Sequence, residues 1–300
     1  MKAIVCEEFA PVEQLKYKDV PDPVVKKGHV VVDVKACGVN FPDGLLVQGL
    51  YQNKPPFPFI PGNEVAGVIS EIGEGVPYLK VGMRVIAMVM LGGYAEKVLC
   101  PVSHIMPIPD EIPDDEAAAL VTAHATAHHA LKQRAKIQPG ETLLVTGAAG
   151  GTGLAAVQIG KEMGATVIAV CSTQEKLDMA KANGADILIN YTETDLKTAI
   201  KEVTDGKGVD VVYECVGGDT FHACSRGMAW NGRLLVVGFA GGTIPEFPVN
   251  LALVKGYSVM GVFWGSFTQH QPKDFADNMK ELLIWYVQGK VKVIVDEVVP

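Results

Sequence analysis

The chain has 300 residues, 48% hydrophobic and 20% charged, enough for about two ordinary soluble domains. Its formal charge of -8 and the lack of any basic run argue against a nucleic-acid partner, because phosphate backbones are held chiefly by clustered Lys and Arg. Six scattered cysteines with no C-x-x-C pair fit a reducing cytoplasm, and no signal peptide or bilayer-length apolar run is visible, so neither secretion nor membrane insertion is expected.

From Met1 to about Glu116 the chain is rich in Gly, Pro and short β-type runs: Lys2 to Cys6, His29 to Ala36, Glu64 to Ile72, Arg84 to Val89 and Ala95 to Cys100. This predicts a mostly antiparallel, barrel-like region. An Ala-rich helix is expected from Glu116 to Gln133. Strands then alternate with helices, at Leu143 to Thr146, Thr166 to Cys171, Ile187 to Asn190, Val209 to Cys215, Arg233 to Phe239 and Ser258 to Trp264. Such alternation implies a parallel sheet covered by helices on both faces. A helix from about Asp274 to Gln288 and a strand from Val291 to Pro300 close the chain, the strand returning to the first domain.

The stretch ETLLVTGAAGGTGLAAVQIGK, Glu141 to Lys161, is an apolar strand, a glycine turn and a helix. Gly147, Gly150, Gly151 and Gly153 permit a tight turn and bring backbone N–H groups close to a pyrophosphate at a helix N-terminus. The spacing is G-x-x-G-x-x-G rather than G-x-G-x-x-G, and a glycine-rich turn without a ligand is the alternative. A NAD site usually carries Asp or Glu at the end of the second strand, on the ribose 2′-hydroxyl. Here that strand ends in Ser172, followed by Thr173, Gln174, Glu175 and Lys176. The missing acid favours a 2′-phosphate held by Ser172, Lys176 and Tyr191, hence NADP(H) over NAD(H). The alternative is that Lys176 pairs with an acid and Glu175 takes the ribose hydroxyls.

With Gly38-Val39-Asn40-Phe41, Pro61-Gly62-Asn63-Glu64, the Ala148 to Gly153 turn, Cys171-Ser172 to Lys176 and Ile189-Asn190-Tyr191 all in order, the chain resembles the quinone oxidoreductases. These are the zeta-crystallin-like, zinc-independent branch of the medium-chain dehydrogenases/reductases. The resemblance covers essentially the whole chain and implies an α/β fold in which a GroES-like, mostly-β catalytic domain is interrupted by a Rossmann domain, with the cofactor in the cleft between them. The corresponding boundaries are 1–123 for the first part of the catalytic domain, 124–264 for the Rossmann domain and 265–300 for the return. The resemblance further implies NADPH as cofactor, with the phosphate turn at Gly150, Gly151 and Thr152 and the 2′-phosphate at Ser172, Lys176 and Tyr191. It places Thr126 close to the cofactor and nicotinamide contacts at Asn40 and around Gly238, Phe239 and Phe263. Family members continue past the strand at Val291 with a helix and a closing strand, so a truncation at Pro300 is expected.

Zinc-dependent relatives need a thiolate near the G-V-N position, a histidine in Gly-His-Glu and often a four-cysteine loop. Asn40 and Asn63 occupy the two catalytic ligand positions, and the Gly92 to Cys100 region lacks the cysteines, so no metal is expected. His124, His128 and His129 are the competing metal candidates, without an H-E-x-x-H pattern or an evident third ligand. Without a Lewis acid, alcohol oxidation is poorly served. Hydride delivery to an electron-poor acceptor is easier.

The resulting oxyanion needs a donor, and the resemblance offers Asn40, as a carbonyl or ribose partner, and Tyr51, as a donor or substrate-stacking ring. Solvent is the alternative proton source, and packing against Pro55 or Phe57 the alternative role of Tyr51. Asp43 reads as a helix cap or as a polar pocket residue. Three readings follow: an NADPH-dependent quinone reductase, an NADPH-dependent enoyl or alkenal reductase, and a non-enzymatic NADPH-binding structural protein of the crystallin kind. The small-molecule partner is a quinone or enone. The apolar edge strand Ser258 to Trp264 predicts a homodimer, since an open edge invites pairing.

Overall fold

Alternation of β-branched and small residues is strongest in the N-terminal third, and the computed structural model, which describes residues 1–299, folds it into antiparallel sheet. The chain divides into two units, 1–122 with the segment from Val293 onward, and 123–292. Residues 265–292, expected with the return to the first domain, therefore belong to the second unit.

In the first unit β1 (Lys2–Val5) pairs antiparallel with β2 (Lys16–Asp19). A five-stranded antiparallel sheet is built from β3 (His29–Cys37), β4 (Glu64–Ile72), β5 (Arg84–Met88), β6 (Lys97–Pro101) and β7 (Ile105–Pro107), in the order β6-β3-β4-β5-β7. Val30, Val32, Val65, Ile69, Val85 and Val98 form its core, one period-two face from each strand. Between β3 and β4 sits α1 (Phe41–Val47), a short helix that sequence periodicity misses because seven residues hold barely two turns.

Helix α2 (Asp114–His129) begins with three acidic residues, which suit the positive end of the helix dipole. Its continuation widens into a π-type turn over Ala130–Ala135 and stops at Lys136, which adopts left-handed geometry. In the second unit β8 (Thr142–Thr146), β9 (Thr166–Cys171), β10 (Ile187–Asn190), β11 (Val209–Glu214), β12 (Met228–Val236) and β13 (Ser258–Gly261) form one parallel sheet in the order β10-β9-β8-β11-β12-β13. This is the doubly wound order of a dinucleotide-binding sheet. Strands β8, β9 and β11 are almost continuously buried, as they must be when helices cover both faces. The helices are α3 (Gly151–Glu162), α4 (Gln174–Ala182), α5 (Leu196–Val203), α6 (Gly218–Arg226), α7 (Asn250–Lys255), α8 (Trp264–His270) and α9 (Pro272–Val287). The expected α/β class, with a GroES-like and a Rossmann part, holds.

Three expected strands are corrected. The edge strand ends at Gly261, and Trp264 opens α8 instead. Strand β12 starts at Met228 and ends at Val236, because Met228 already pairs with Val209 across an irregular step and Asn231 takes a positive φ before the ladder resumes at Arg233. Among the described residues Val291–Val299 form no strand, for an alternating run becomes a strand only where a neighbour supplies ladder partners. All six cysteines are free. No helix of the described residues is long and apolar enough to cross a membrane.

Candidate active site

The second unit gathers its candidate residues because a parallel sheet points the C-terminal ends of its strands to one edge. At the end of β8, Gly147 turns with a φ of +58°. Gly153, in the first turn of α3, is required by contact: a Cβ there would lie 2.2 Å from the carbonyl oxygen of Gly147. Gly160, farther along α3, lies so close to β8 that a Cβ would fall 2.5 Å from Leu143 Cδ2. The spaced glycines thus seat the helix on the strand. The N-cap is Gly150, which has no side-chain oxygen to cap α3, so the first-turn amides are available to an anion, as at other helix N-termini.

Thr152 is held from beside and below. Its hydroxyl hydrogen-bonds the buried Tyr213 hydroxyl and lies 3.5 Å from the Ala123 carbonyl. Ala123 Cβ is also the nearest atom, at 4.0 Å, to a Cβ built on Gly151. Thr126 lies one helical turn beyond Ala123 on α2, so it shares the face that meets the glycine turn.

Ser172 and Tyr191 follow directly on the paired strand ends Cys171 and Asn190. Tyr191 N–H donates to the Cys171 carbonyl at 3.2 Å, and the Thr192 hydroxyl donates to the Ser172 carbonyl at 3.2 Å. Thr173 caps α4 by accepting from Lys176 N–H at 3.4 Å. Ser172, Lys176 and Tyr191 are therefore brought to one corner of the sheet edge. Lys176 and Tyr191 are exposed there, and among the described residues Lys176 has no ion-pair partner.

Gly238 and Phe239 lie just past β12, and the half-exposed Phe263 caps α8 just past β13. The loop after β11 is fixed by Glu214, a residue that sequence reasoning missed. Its buried carboxylate accepts from Thr146 Oγ1 at 3.1 Å, Val216 N–H at 3.1 Å and Gly217 N–H at 3.0 Å. Gly217 in turn has no space for a side chain, which would meet the Thr243 carbonyl at 2.5 Å and Phe239 at 3.2 Å. Glu214 thereby sets the backbone against which Phe239 packs. A lone acid ending the apolar run VVYE was the available signal.

In the first unit the candidate residues form a buried polar cluster around α1. Asn40 caps that helix, and Asp43, at its third position, accepts Asn40 N–H at 2.9 Å. Asp43 is thus a cap partner rather than the N-cap itself. It also accepts from the Tyr94 hydroxyl at 2.9 Å. Burial raises the Asp43 carboxyl above its ordinary range despite these donors. Glu64, another residue missed as a role, accepts from Asn40 Nδ2 at 2.6 Å with one oxygen and from Thr122 N–H at 2.6 Å with the other. Burial pushes the Glu64 carboxyl up to about 7.

Tyr51 is half-buried beside Cys6, Leu46, Val47 and Phe59. Phe57 packs its ring edge-on to Phe9 at 4.6 Å and stacks on Phe59 at 5.7 Å. Burial and, next, the charge of Asp43 raise the Tyr51 phenol, so it stays protonated at neutral pH.

The donor set does not suit zinc. Asn40 holds Glu64, and Asn63 Oδ1 accepts from the Thr122 hydroxyl at 3.3 Å; neutral amides are poor zinc ligands. The three candidate histidines also diverge. His124 is buried, His128 Nε2 meets Glu281 at 2.9 Å, and His129 stacks on Phe267 at 3.8 Å. Among the described residues no three His, Cys, Asp or Glu side chains converge on a metal position.

Comparison with known proteins agrees with this division. Residues 26–110 match the alcohol dehydrogenase GroES-like domain, and residues 151–283 match the zinc-binding dehydrogenase domain. The chain is 40% identical to quinone oxidoreductase-like protein 2 of Rattus norvegicus, over 97% of this chain and 83% of that protein. The chain belongs to the quinone oxidoreductase branch of the medium-chain dehydrogenases/reductases. Among solved structures it is similar to Escherichia coli quinone oxidoreductase complexed with NADPH, at 30% identity and TM-score 0.92, covering 98% of this chain and 90% of that one. It is also similar to the CurK enoyl reductase, at 27% identity and TM-score 0.89, again over 98% and 90%.

Proposed function

We propose that the chain is an NADPH-dependent quinone reductase. The observation that carries this reading is the amide pair at positions 40 and 63, one of which is tied to a carboxylate, where a Lewis acid would need zinc ligands. Acceptors that are already electron-poor do not require one. When bound, NADPH supplies a hydride from its nicotinamide C4. In this reading the turn at Gly150, Gly151 and Thr152 holds the pyrophosphate, the N–H groups of Gly151 and Thr152 facing it while that of Gly150 donates to the Gly147 carbonyl at 2.9 Å, and Ser172, Lys176 and Tyr191 hold the 2′-phosphate. Thr126, Gly238, Phe239 and Phe263 border the nicotinamide. Asn40 and the protonated Tyr51 donate hydrogen bonds to the acceptor oxygen as negative charge develops on it.

The likeness to an enoyl reductase supports a second reading, in which the same donors stabilise an enolate after hydride addition to a C=C bond. NADPH oxidation measured side by side with ortho-quinones, 2-alkenals and enoyl thioesters separates the two. The quinone reading expects the highest kcat/KM with ortho-quinones. Turnover confined to thioesters overturns it.

We further propose a homodimer formed through β13. This strand is the sheet's edge, with Ser258 and Val259 exposed, and Trp230, Leu253 and Val254 add exposed apolar surface to the same unit. Light scattering at micromolar concentration is expected to give twice the chain mass, and a monomer would count against the proposal.

A further inference from the structure

In the first unit a side-chain hydrogen bond of 2.6 Å joins two residues that lie 24 positions apart, Asn40 and Glu64. Glu64 is 2% exposed, and its carboxylate is pressed against the backbone of Gly38, where an added Cβ would lie 2.1 Å from Oε1. The glycine of Gly38-Val39-Asn40 therefore makes room for the acid that holds the asparagine. Glu64 is itself anchored by Thr122 N–H at 2.6 Å, a backbone donor that cannot turn away. Other groups facing this pair are Asp43, Tyr94, Cys37 and the Thr122 hydroxyl. None of them supplies a second acceptor for Asn40 Nδ2 in the structure.

We infer that Glu64 is the positioning residue for Asn40: its carboxylate takes one of the two amide hydrogens and fixes the direction of the other, which donates to the acceptor oxygen. This rests on the proposed reading that Asn40 faces the reacting acceptor. An amide left free to rotate about its last torsion presents oxygen or nitrogen to the acceptor with similar ease, and an oxygen there repels the developing oxyanion. With Glu64 in place the nitrogen end is selected.

The substitution Glu64→Gln tests this with almost no change of shape. Thr122 N–H keeps the Gln oxygen, so the Gln amide hydrogens face those of Asn40, and Asn40 must turn over or swing away. With the acceptor turned over fastest in the panel above, Glu64→Gln and Asn40→Ala are each expected to lower kcat about tenfold or more. The KM for NADPH is expected to stay near wild type, and the double variant to be no slower than Asn40→Ala alone. A wild-type kcat for Glu64→Gln alongside a slow Asn40→Ala overturns the positioning role and leaves the reading of Asn40 standing. Independent, multiplying losses also overturn it. A wild-type kcat for Asn40→Ala overturns both.

Should Glu64→Gln fail to fold, Asn40→Asp serves instead. Two carboxyls at this spacing cannot both ionise, so its kcat–pH profile is expected to gain an ionisation above about pH 6. An added ionisation near pH 4, the ordinary Asp range, would show that the two side chains do not meet and would overturn the proposal.

Discussion

Lys176→Ala is expected to raise the KM for NADPH by about tenfold to a hundredfold while leaving that for NADH near wild type, since a hydrogen bond to a charged partner contributes roughly 1.5 to 3 kcal/mol. The two cofactors differ only at the ribose 2′ position, so the ratio of the two effects isolates the phosphate contact. The structure makes the lysine well suited to this test. It sits in the first turn of α4, exposed and without an ion-pair partner among the described residues, beside Ser172 and Tyr191 at the ends of β9 and β10. Removing it leaves no buried charge behind, and Thr173 still caps the helix through the backbone N–H of residue 176. Stability should therefore hold, and a change in KM reports binding alone. Steady-state kinetics with both cofactors at a fixed acceptor concentration checks it. Equal changes for NADPH and NADH would remove the 2′-phosphate assignment and return attention to Glu175. Rising ionic strength should weaken NADPH binding more than NADH binding in the wild type, and this difference should shrink in the variant, because an exposed ion pair is screened by salt.

What was readable in advance follows how local the determining contacts are. The β8 to α3 turn is spelled by residues within one short stretch, and its two most tightly packed glycines answer to neighbours in that stretch: Gly153 to Gly147, Gly160 to Leu143. Strands β4, β9 and β10 fall where their runs of β-branched residues lie. Boundaries failed where tertiary contacts decide. The apolar run through Val262, Phe263 and Trp264 continues the pattern of β13, yet the ladder with β12 ends at Gly261 and the backbone turns into α8. The expected strand starts at Arg233, yet Met228 already pairs with Val209 ahead of a bulge. The segment from Val291 alternates well enough for a strand but has no ladder partner among the described residues.

The site divides in the same way. Ser172, Lys176 and Tyr191 are set by strand ends, which sequence patterning locates. Glu64 and Glu214 act through groups 24 and 68 positions distant, Asn40 and Thr146, and no local pattern announces such a pairing. An acid at one terminus of an apolar strand, the first residue of β4 and the last of β11, is the trace that both leave in the sequence. Each is raised by burial, and each is kept in place by two or more donors. Carboxylates of this kind carry structure and site geometry together, since removing the acid would leave its donors unpaired.

The glycine turn yields the other large effect, and a pair of substitutions separates its two functions. In Gly153→Ala the new Cβ would lie 2.2 Å from the Gly147 carbonyl oxygen and 2.8 Å from its carbon. Both are backbone atoms of a turn whose φ is already positive, so no side-chain tip can yield. Either α3 backs away from β8 or the turn opens, and the cost is about 3 kcal/mol, at the upper end of overpacking. The amides of Gly150, Gly151 and Thr152 move in either case. Gly153→Ala should lower both the thermal midpoint and NADPH affinity, the latter by about a hundredfold, from displacement of a charge-assisted anion site. In Gly151→Ala the nearest atom to the new Cβ is that of Ala123, at 4.0 Å, an ordinary contact. Its thermal midpoint should stay within a few degrees of wild type, since Ala is at least as favourable as Gly in a helix. Its NADPH affinity should still fall, because the methyl group stands where the pyrophosphate must approach the backbone. Calorimetric titration with NADPH and thermal unfolding of both variants give the four numbers needed. Undiminished NADPH affinity in Gly151→Ala would mean that the turn shapes the fold alone, and that the cofactor's phosphates are held elsewhere.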